Sequence, residues 1–429
     1  MQGTAGGTGP VSERADEQHV NANPAKLTAA LFVSALVLRA GWIGYRWLNL
    51  GAATAYPDEE LHWELATNLV HDGVLISNDG RLAARMPLYP LFLATFAAAG
   101  EYGVLAARLA QALLSALTVV IGQRLALAVW GPRGGFIAGL CLCCDPFAIF
   151  FCNLLLTETL FTFLAVLVIA CAWLLAMNPC HALANWGLAA AGAAAVLTRP
   201  TAAGWLPGVW GLLAILGPER RRLLLRLVVC PLVVLAALLP WGVRNKIALD
   251  SFAWFSTNGG VTLYDAQGPQ ATGASDQSFL LELGELRRLG EVQCDRELRR
   301  LAWGQMRADP TRVLRLAWIK FLRTWSLRPN VTEYSRGSTA WVAAGYTVLV
   351  LAGAATGLAS VLRRGGGAPA TGGRRLHAIV WLAVAYFTLV HCVFIGSVRY
   401  RVPLMPLLCL AAGGAALTNR QRSNVCTKC

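Results

Sequence analysis

Three carboxylates in a row, Asp58, Glu59 and Glu60, follow Tyr56-Pro57 and stand directly after the first long apolar block. A carboxylate at that place can act as a general base on a substrate held at a membrane surface. It can equally do no more than favour a helix start, with Pro57 at the entry and Asp58 as the cap. Leu61, Leu65, Leu69 and Val70 then continue as an amphipathic, interfacial helix. Glu158 lies in the run NLLLTETLFTF. A carboxylate in an apolar helix is costly, so it either serves function or pairs with a cation such as Arg199 or Arg244. Asp145, beside Pro146, falls near the same level and could join it.

Cations accompany these acids. Arg85 precedes an apolar block that opens with Pro87, and Arg399 and Arg401 flank Tyr400 ahead of Pro403. A planar guanidinium fork suits phosphate oxygens, and an arginine at headgroup depth also suits an interfacial anchor. Arg244 stands in WGVRN, and Asn258 in STNGG, a stretch that reads as a tight turn needing positive φ.

What must position these residues is a set of membrane helices. Of 429 residues, 56% are hydrophobic and 14% charged, and the mean hydropathy is +0.51. A soluble chain of this length would carry about 25% charged residues. The apolar residues fall into blocks at about 27–48, 87–121, 135–151, 154–176, 184–198, 202–216, 223–243, 338–362, 376–395 and 400–418. A span needs about 20 apolar residues, so the block at 87–121 is too long for one. Pro87, Pro90 and Gly100 suggest that it begins with an interfacial segment. The sequence predicts an all-α polytopic protein of about ten spans, with interfacial helices in two long polar loops, 49–86 and 246–337. Residues 1–26 and 419–429 read as polar tails, the first disordered.

Loop charge gives the orientation. With the N-terminus inside, Arg124 and Arg133, Arg220 to Arg222 and Arg226, Arg363, Arg364, Arg374 and Arg375, and finally Arg420, Arg422 and Lys428 are cytoplasmic. Both long polar loops then lie outside, on the periplasmic or extracellular face of a plasma membrane. The net charge of +14 is spread over these loops, not gathered on one polar face, which argues against nucleic acid as a partner. Arg46 can snorkel to an interface, whereas Arg39 must face protein or water.

Most of the 12 cysteines sit inside apolar blocks and read as small packing residues. Cys294 alone cannot staple an outer loop, and the terminal Cys426-Thr-Lys-Cys429 has no partner pair for a metal. Residues 312–328 alternate basic and apolar groups, with an expected stripe of Val313, Leu316, Ala317 and Phe321 lying in the outer interface. Asn330-Val-Thr332 is a glycosylation sequon on that face.

Taken in order, Asp58-Glu59, RMPLYPLFLA at 85–94, LLLTETLF at 154–161, LTRPTA at 197–202, PWGVRN at 240–245, STNGG at 256–260 and RYRVPLMP at 399–406 resemble glycosyltransferase family 39. That family holds the protein O-mannosyltransferase and lipid A aminoarabinose transferase relatives among the C-type membrane glycosyltransferases. The resemblance covers about 27–418 and lacks the large soluble domains of some relatives, which leaves the acceptor open. It implies inverting transfer from a polyprenyl-phosphate sugar to a protein, lipid or glycan acceptor. Asp58 would be the base, and Glu59 its assistant or an acceptor ligand. Arg85, Arg399 and Arg401 would clamp the phosphate, and Glu158 would orient sugar or acceptor. Arg244, Asn258 and Tyr400 complete the expected substrate-binding set. The sequence names no certain cofactor, and the carboxylates could hold a divalent metal. Two other classes fit a polytopic chain: a secondary transporter and a non-catalytic envelope-assembly protein. The first would place its acids mid-membrane within a repeat, and no repeat is visible. The second would not need the carboxylate and arginine set.

Overall fold

The computed structural model describes residues 23–417, apart from 283, 285, 332, 333 and 364–367. The C-terminal segment with Cys426 and Cys429, most of the expected N-terminal tail, and Thr332 of the sequon lie outside the described residues. The first helix reaches into the expected tail: α1 (Pro24–Leu50) starts behind Asn23, whose side chain accepts from Ala25 N–H. Arg39, halfway along it, is buried and faces protein. Its guanidinium donates to Ser115 Oγ at 2.7 Å and to the carbonyls of Ala35, Leu142 and Cys143 at 3.1–3.2 Å. Four acceptors replace the water that an intramembrane cation would otherwise need.

Next come α2 (Pro57–Asp72) and the short α3 (Leu88–Ala97), which together carry the first polar loop back to the bundle. The long apolar block therefore divides as expected near Gly100. α4 (Gly100–Cys143) is continuous in hydrogen bonding but not in direction. Gly131 turns the chain at φ +77°, and Pro132 opens a second arm. A Cβ on Gly122 would stand 2.5 Å from Leu142, and one on Gly139 would stand 2.8 Å from Gln123. The two arms thus lie side by side, antiparallel, with glycines where their backbones meet.

α5 (Pro146–Phe151) is capped by Asp145, which accepts from Phe147 and Ala148 N–H. Asp145 does not join Glu158, because these cap bonds hold it. α6 (Glu158–Met177), α7 (Ala182–Thr198), α8 (Ala202–Leu216), α9 (Arg220–Leu227) and α10 (Val229–Leu249) follow. The second polar loop carries α11 (Gly259–Gln267), α12 (Phe279–Glu282), α13 (Glu291–Ala308) and α14 (Pro310–Thr324). The chain ends in α15 (Gly337–Arg363), α16 (Ala368–Val393), α17 (Val398–Arg401) and α18 (Met405–Ala412).

Among the described residues, seven helices are long and apolar enough to cross a membrane. One of them is the α4 hairpin, which crosses twice. Glu158 opens α6 and Arg199 closes α7, and the two are ion-paired, so α6 and α7 form another hairpin and α8 must return. The 17-residue α7 and 15-residue α8 therefore cross as well, which gives the ten expected passes. The chain is an all-α, multi-pass membrane protein. By the same alternation, Arg124, Arg133, Arg220 to Arg222, Arg226, Arg363, Arg374 and Arg375 gather at the end away from Asp58. Arg375 bonds there to the carbonyl of Ala176, at the far end of α6.

Three local expectations change. Tyr56, not Asp58, caps α2, since Pro57 already occupies its first turn. The Asn-Gly-Gly stretch contains no positive φ. It starts α11, and Gly260 is needed because a Cβ there would lie 1.9 Å from the carbonyl oxygen of Asp295. On α14 the outward apolar row is Leu314, Trp318 and Leu322, whereas Leu316, Lys320 and Thr324 face the protein.

Candidate active site

Five residues from five distant stretches of sequence form one line of ion pairs. Arg85 Nη2 lies 2.8 Å from Asp58 Oδ1, and Arg399 Nη1 lies 2.6 Å from Asp58 Oδ2. Arg399 also donates through Nε to Glu158 Oε1, and Arg199 Nη2 reaches that same oxygen at 2.8 Å. Arg199 is held in turn by Thr157 Oγ1 and lies over the Phe161 ring. Asp58 is placed by the first turn of α2, Arg85 by the loop before α3, Glu158 by the first turn of α6, and Arg199 by the end of α7. Arg399 comes from α17, where Ser397 caps the turn by accepting from Arg399 N–H.

Three guanidiniums against two carboxylates leave one net positive charge. The line is graded in exposure: Glu158 is fully buried, whereas the Asp58 side chain is 37% exposed and Arg85 20%. Burial alone would raise the Asp58 carboxyl, but Arg399 and Arg85 together hold it well below the usual carboxylate range. As it stands, Asp58 is an ionised acceptor with both oxygens occupied by cations.

The other expected residues are placed differently. Glu59 is buried and accepts from Leu155 N–H at 2.7 Å and Ala55 N–H at 2.9 Å, so it ties α2 to the loop before α6. Burial pushes its carboxyl up, against the pull of those N–H groups and of Arg108. Arg244 donates to the carbonyls of Leu82 and Leu75, holding the first polar loop against α10. Asn258 donates to Thr262 Oγ1 within α11. Arg401 is fully buried and does not reach the ion line. It donates to Ser326 O and Thr347 Oγ1 and lies over the Phe147 ring. Tyr400 stacks on His391 with ring centroids 4.1 Å apart. Asn330 of the sequon accepts from Val398 N–H and donates to Arg323 O, so its amide braces α17.

Two participants were not in the expected set. Arg199 entered the sequence reading only as a structural partner of Glu158. His62 lies one helical turn beyond Asp58 on the same face of α2, a spacing visible in the sequence. It is buried edge-on to Tyr89, and its Nδ1 has no hydrogen-bond partner among the described residues. Burial, and then the nearby Arg85, push the imidazole down to about 3, so it is neutral.

An apolar cavity of about 410 Å³ opens beside this line, walled by Trp42, Phe147, Phe150, Leu154, Tyr334 and Val342. Among the described residues, Arg399 is the one charged residue in its lining. Both carboxylates carry arginines, and among the described residues no three His, Cys, Asp or Glu side chains converge.

No family model and no curated protein sequence matches the chain. Solved structures do. The archaeal oligosaccharyltransferase AglB from Archaeoglobus fulgidus, in complex with an inhibitory peptide and a dolichol-phosphate, superposes with a TM-score of 0.56 at 14% identity, over 94% of this chain and 52% of that one. The apo form of the Archaeoglobus fulgidus oligosaccharyltransferase gives 0.58 at 14% identity, over 92% and 51%. ArnT from Cupriavidus metallidurans bound to undecaprenyl phosphate gives 0.44 at 18% identity, over 92% and 78%. The chain spans about half the length of the archaeal enzyme. Ten passes, two polar loops at one end and an ion-paired site between them are thus arranged in a membrane fold like that of the archaeal oligosaccharyltransferase.

Proposed function

We propose that the chain is an inverting glycosyltransferase of the plasma membrane, moving a sugar from a polyprenyl-phosphate donor to an acceptor hydroxyl on the outer face. The observation that carries this reading is the apolar cavity ending at Arg399, which is itself shared between Asp58 and Glu158. An isoprenoid tail suits the aromatic and aliphatic walls, and its phosphate suits the arginine at their end.

In this mechanism the donor phosphate takes Arg85 and Arg399 from Asp58. The two cations that depressed the Asp58 carboxyl are then engaged elsewhere, and its basicity returns. Asp58 removes the proton from the acceptor hydroxyl, and that oxygen attacks the anomeric carbon from the face opposite the phosphate. The bond from the anomeric carbon to the phosphate oxygen breaks, and its electron pair leaves with the lipid phosphate. The phosphate gains one negative charge as it departs, which the arginines stabilise without a general acid. Glu158, buried with Oε2 unpartnered among the described residues, holds Arg399 and can accept from a sugar hydroxyl.

The test is to incubate membranes containing the protein with radiolabelled polyprenyl-phosphate sugars and follow label into lipid, glycan or protein. Asp58→Asn keeps the size of the side chain but removes its basicity. Transfer is expected to fall about a hundredfold or more at an unchanged level of protein in the membrane. Label that remains entirely in the donor with the wild-type protein, for every sugar tried, would overturn the reading.

A further inference from the structure

A second cavity, of about 220 Å³, lies wholly within the second polar loop, between α11, the 268–276 segment and α12. Its chemistry is the reverse of the ion line. Asp265 and Asp276 face it, and among the described residues no lysine or arginine does. Tyr264 and Phe279 supply two rings with centroids 4.9 Å apart, and Thr272 and Gln270 add neutral polar groups.

The cavity is built, not a crevice between loose turns. Asp265 is 4% exposed and fixed by Ser275 Oγ at 2.6 Å and Asp276 N–H at 2.9 Å. Arg312 reaches from α14 to the carbonyls of Gln267, Gly268 and Pro269, and fully buried Lys320 donates to Ala266 O and Val393 O at 2.9 Å. These cations neutralise the backbone of the wall from behind while staying out of the lining. The same wall meets the ion line's own segment: Gly396 N–H donates to Gly273 O, three residues before Arg399. Three residues span at most about 10 Å.

We propose that this cavity is an acceptor subsite for an uncharged sugar ring, an inference that rests on the glycosyltransferase reading above. Carboxylates accept strong hydrogen bonds from ring hydroxyls, and aromatic faces cover the C–H face of a sugar ring. Two carboxylates repel phosphate, so the donor headgroup is directed to the arginines and the acceptor to this side. The volume is below the ~300–1,000 Å³ of sites for drug-sized ligands and suits one ring. Its place beyond Arg399 suits a residue of a glycan acceptor next to the one whose hydroxyl reacts.

The experiment uses the full chain purified in lipid nanodiscs, with saturation-transfer NMR on methyl glycosides of mannose, glucose, galactose and arabinose, and with ethanolamine as an amine control. Binding of undecaprenyl phosphate is measured on the same samples. At least one glycoside should bind to the wild-type protein. Ala274→Trp fills the cavity without removing a hydrogen bond and should weaken that binding at least tenfold. Asp265→Asn should weaken it by roughly tenfold, as expected when a charge-assisted bond becomes neutral. Both variants should bind undecaprenyl phosphate as the wild type does, and Arg399→Ala should show the opposite pattern. No glycoside bound, binding of ethanolamine alone, or glycoside binding unchanged in Ala274→Trp would each overturn the subsite. Failure of undecaprenyl phosphate to bind the wild-type protein would instead strike the glycosyltransferase reading.

Discussion

Arg399 is shared by two carboxylates, so its removal would leave Asp58 with Arg85 and Glu158 with Arg199 and break the line at its centre. Arg85 stands at the exposed end and, among the described residues, pairs with Asp58 alone. A charge-assisted contact to phosphate is worth about 1.5–3 kcal/mol. Arg85→Ala should therefore weaken donor use roughly ten- to a hundredfold, and Arg85→Lys should recover part of it by keeping the charge without the fork. Unchanged activity per molecule in Arg85→Ala would leave it an interfacial anchor. His62 makes a separate prediction. Its imidazole is held down at about 3 in the folded protein, against 6.5 ordinarily. The unfolded chain therefore takes up a proton that the native state refuses. Stability present above the ordinary value falls as the pH drops from there towards 3, by about 2 kcal/mol at pH 5. Thermal unfolding of the purified protein at pH 7 and pH 5 measures this, and His62→Gln should flatten the difference. An equal acid loss in His62→Gln would assign it to other groups.

At the scale of elements, the second polar loop depends on α11 meeting α13 at backbone distance. Gly260 N–H donates to Asp295 Oδ1 at 2.5 Å, and there is no room for a Cβ. Gly260→Ala should destabilise the protein by about 1–3 kcal/mol or more through overpacking. Gly304→Ala, on an open face of α13, should be neutral or stabilise by roughly 0.5–1 kcal/mol. Melting temperatures in one detergent compare the two, and equal shifts would discount the close approach. The same elements show how local signals mislead. Asn-Gly-Gly reads as a turn because glycine permits positive φ, yet here glycine is required by a neighbour 35 residues away in sequence. The basic and apolar alternation of 312–328 does give an amphipathic helix, but its two apolar rows differ. Only the fold decides that Leu316 and Lys320 face the bundle and Trp318 faces outward.

For the whole molecule, sidedness is the decisive quantity, since in the proposed reaction donor and acceptor must meet Asp58 on one face. Arginine-rich loops at the opposite end predict that this face is the outer one. Cys180, exposed between α6 and α7, should then resist a membrane-impermeant thiol reagent on intact cells. A cysteine placed at exposed Gln277, in a background lacking the others, should react. The reverse pattern would put Asp58 inside and undo the outer-face assignment.

The sequence by itself determined the membrane class, the ten passes and the end of the bundle at which the candidate residues gather. Each of these follows from the length and polarity of contiguous segments, which a bilayer reads directly. It also supplied Asp58, Arg85, Glu158 and Arg399, because an ionisable group at a span boundary is conspicuous in an apolar chain. Tertiary structure alone decided which of the candidates meet. Arg399 and Arg401 lie two residues apart in the same segment, yet one joins Asp58 and Glu158 and the other is buried against Phe147 and Thr347. Glu59 follows Asp58 directly, but its neighbours are the backbone N–H groups of Ala55 and Leu155, not arginines. Adjacent residues on a helix point about 100° apart, so what each one faces is set by whichever helix packs there, and that information is distributed over the whole chain.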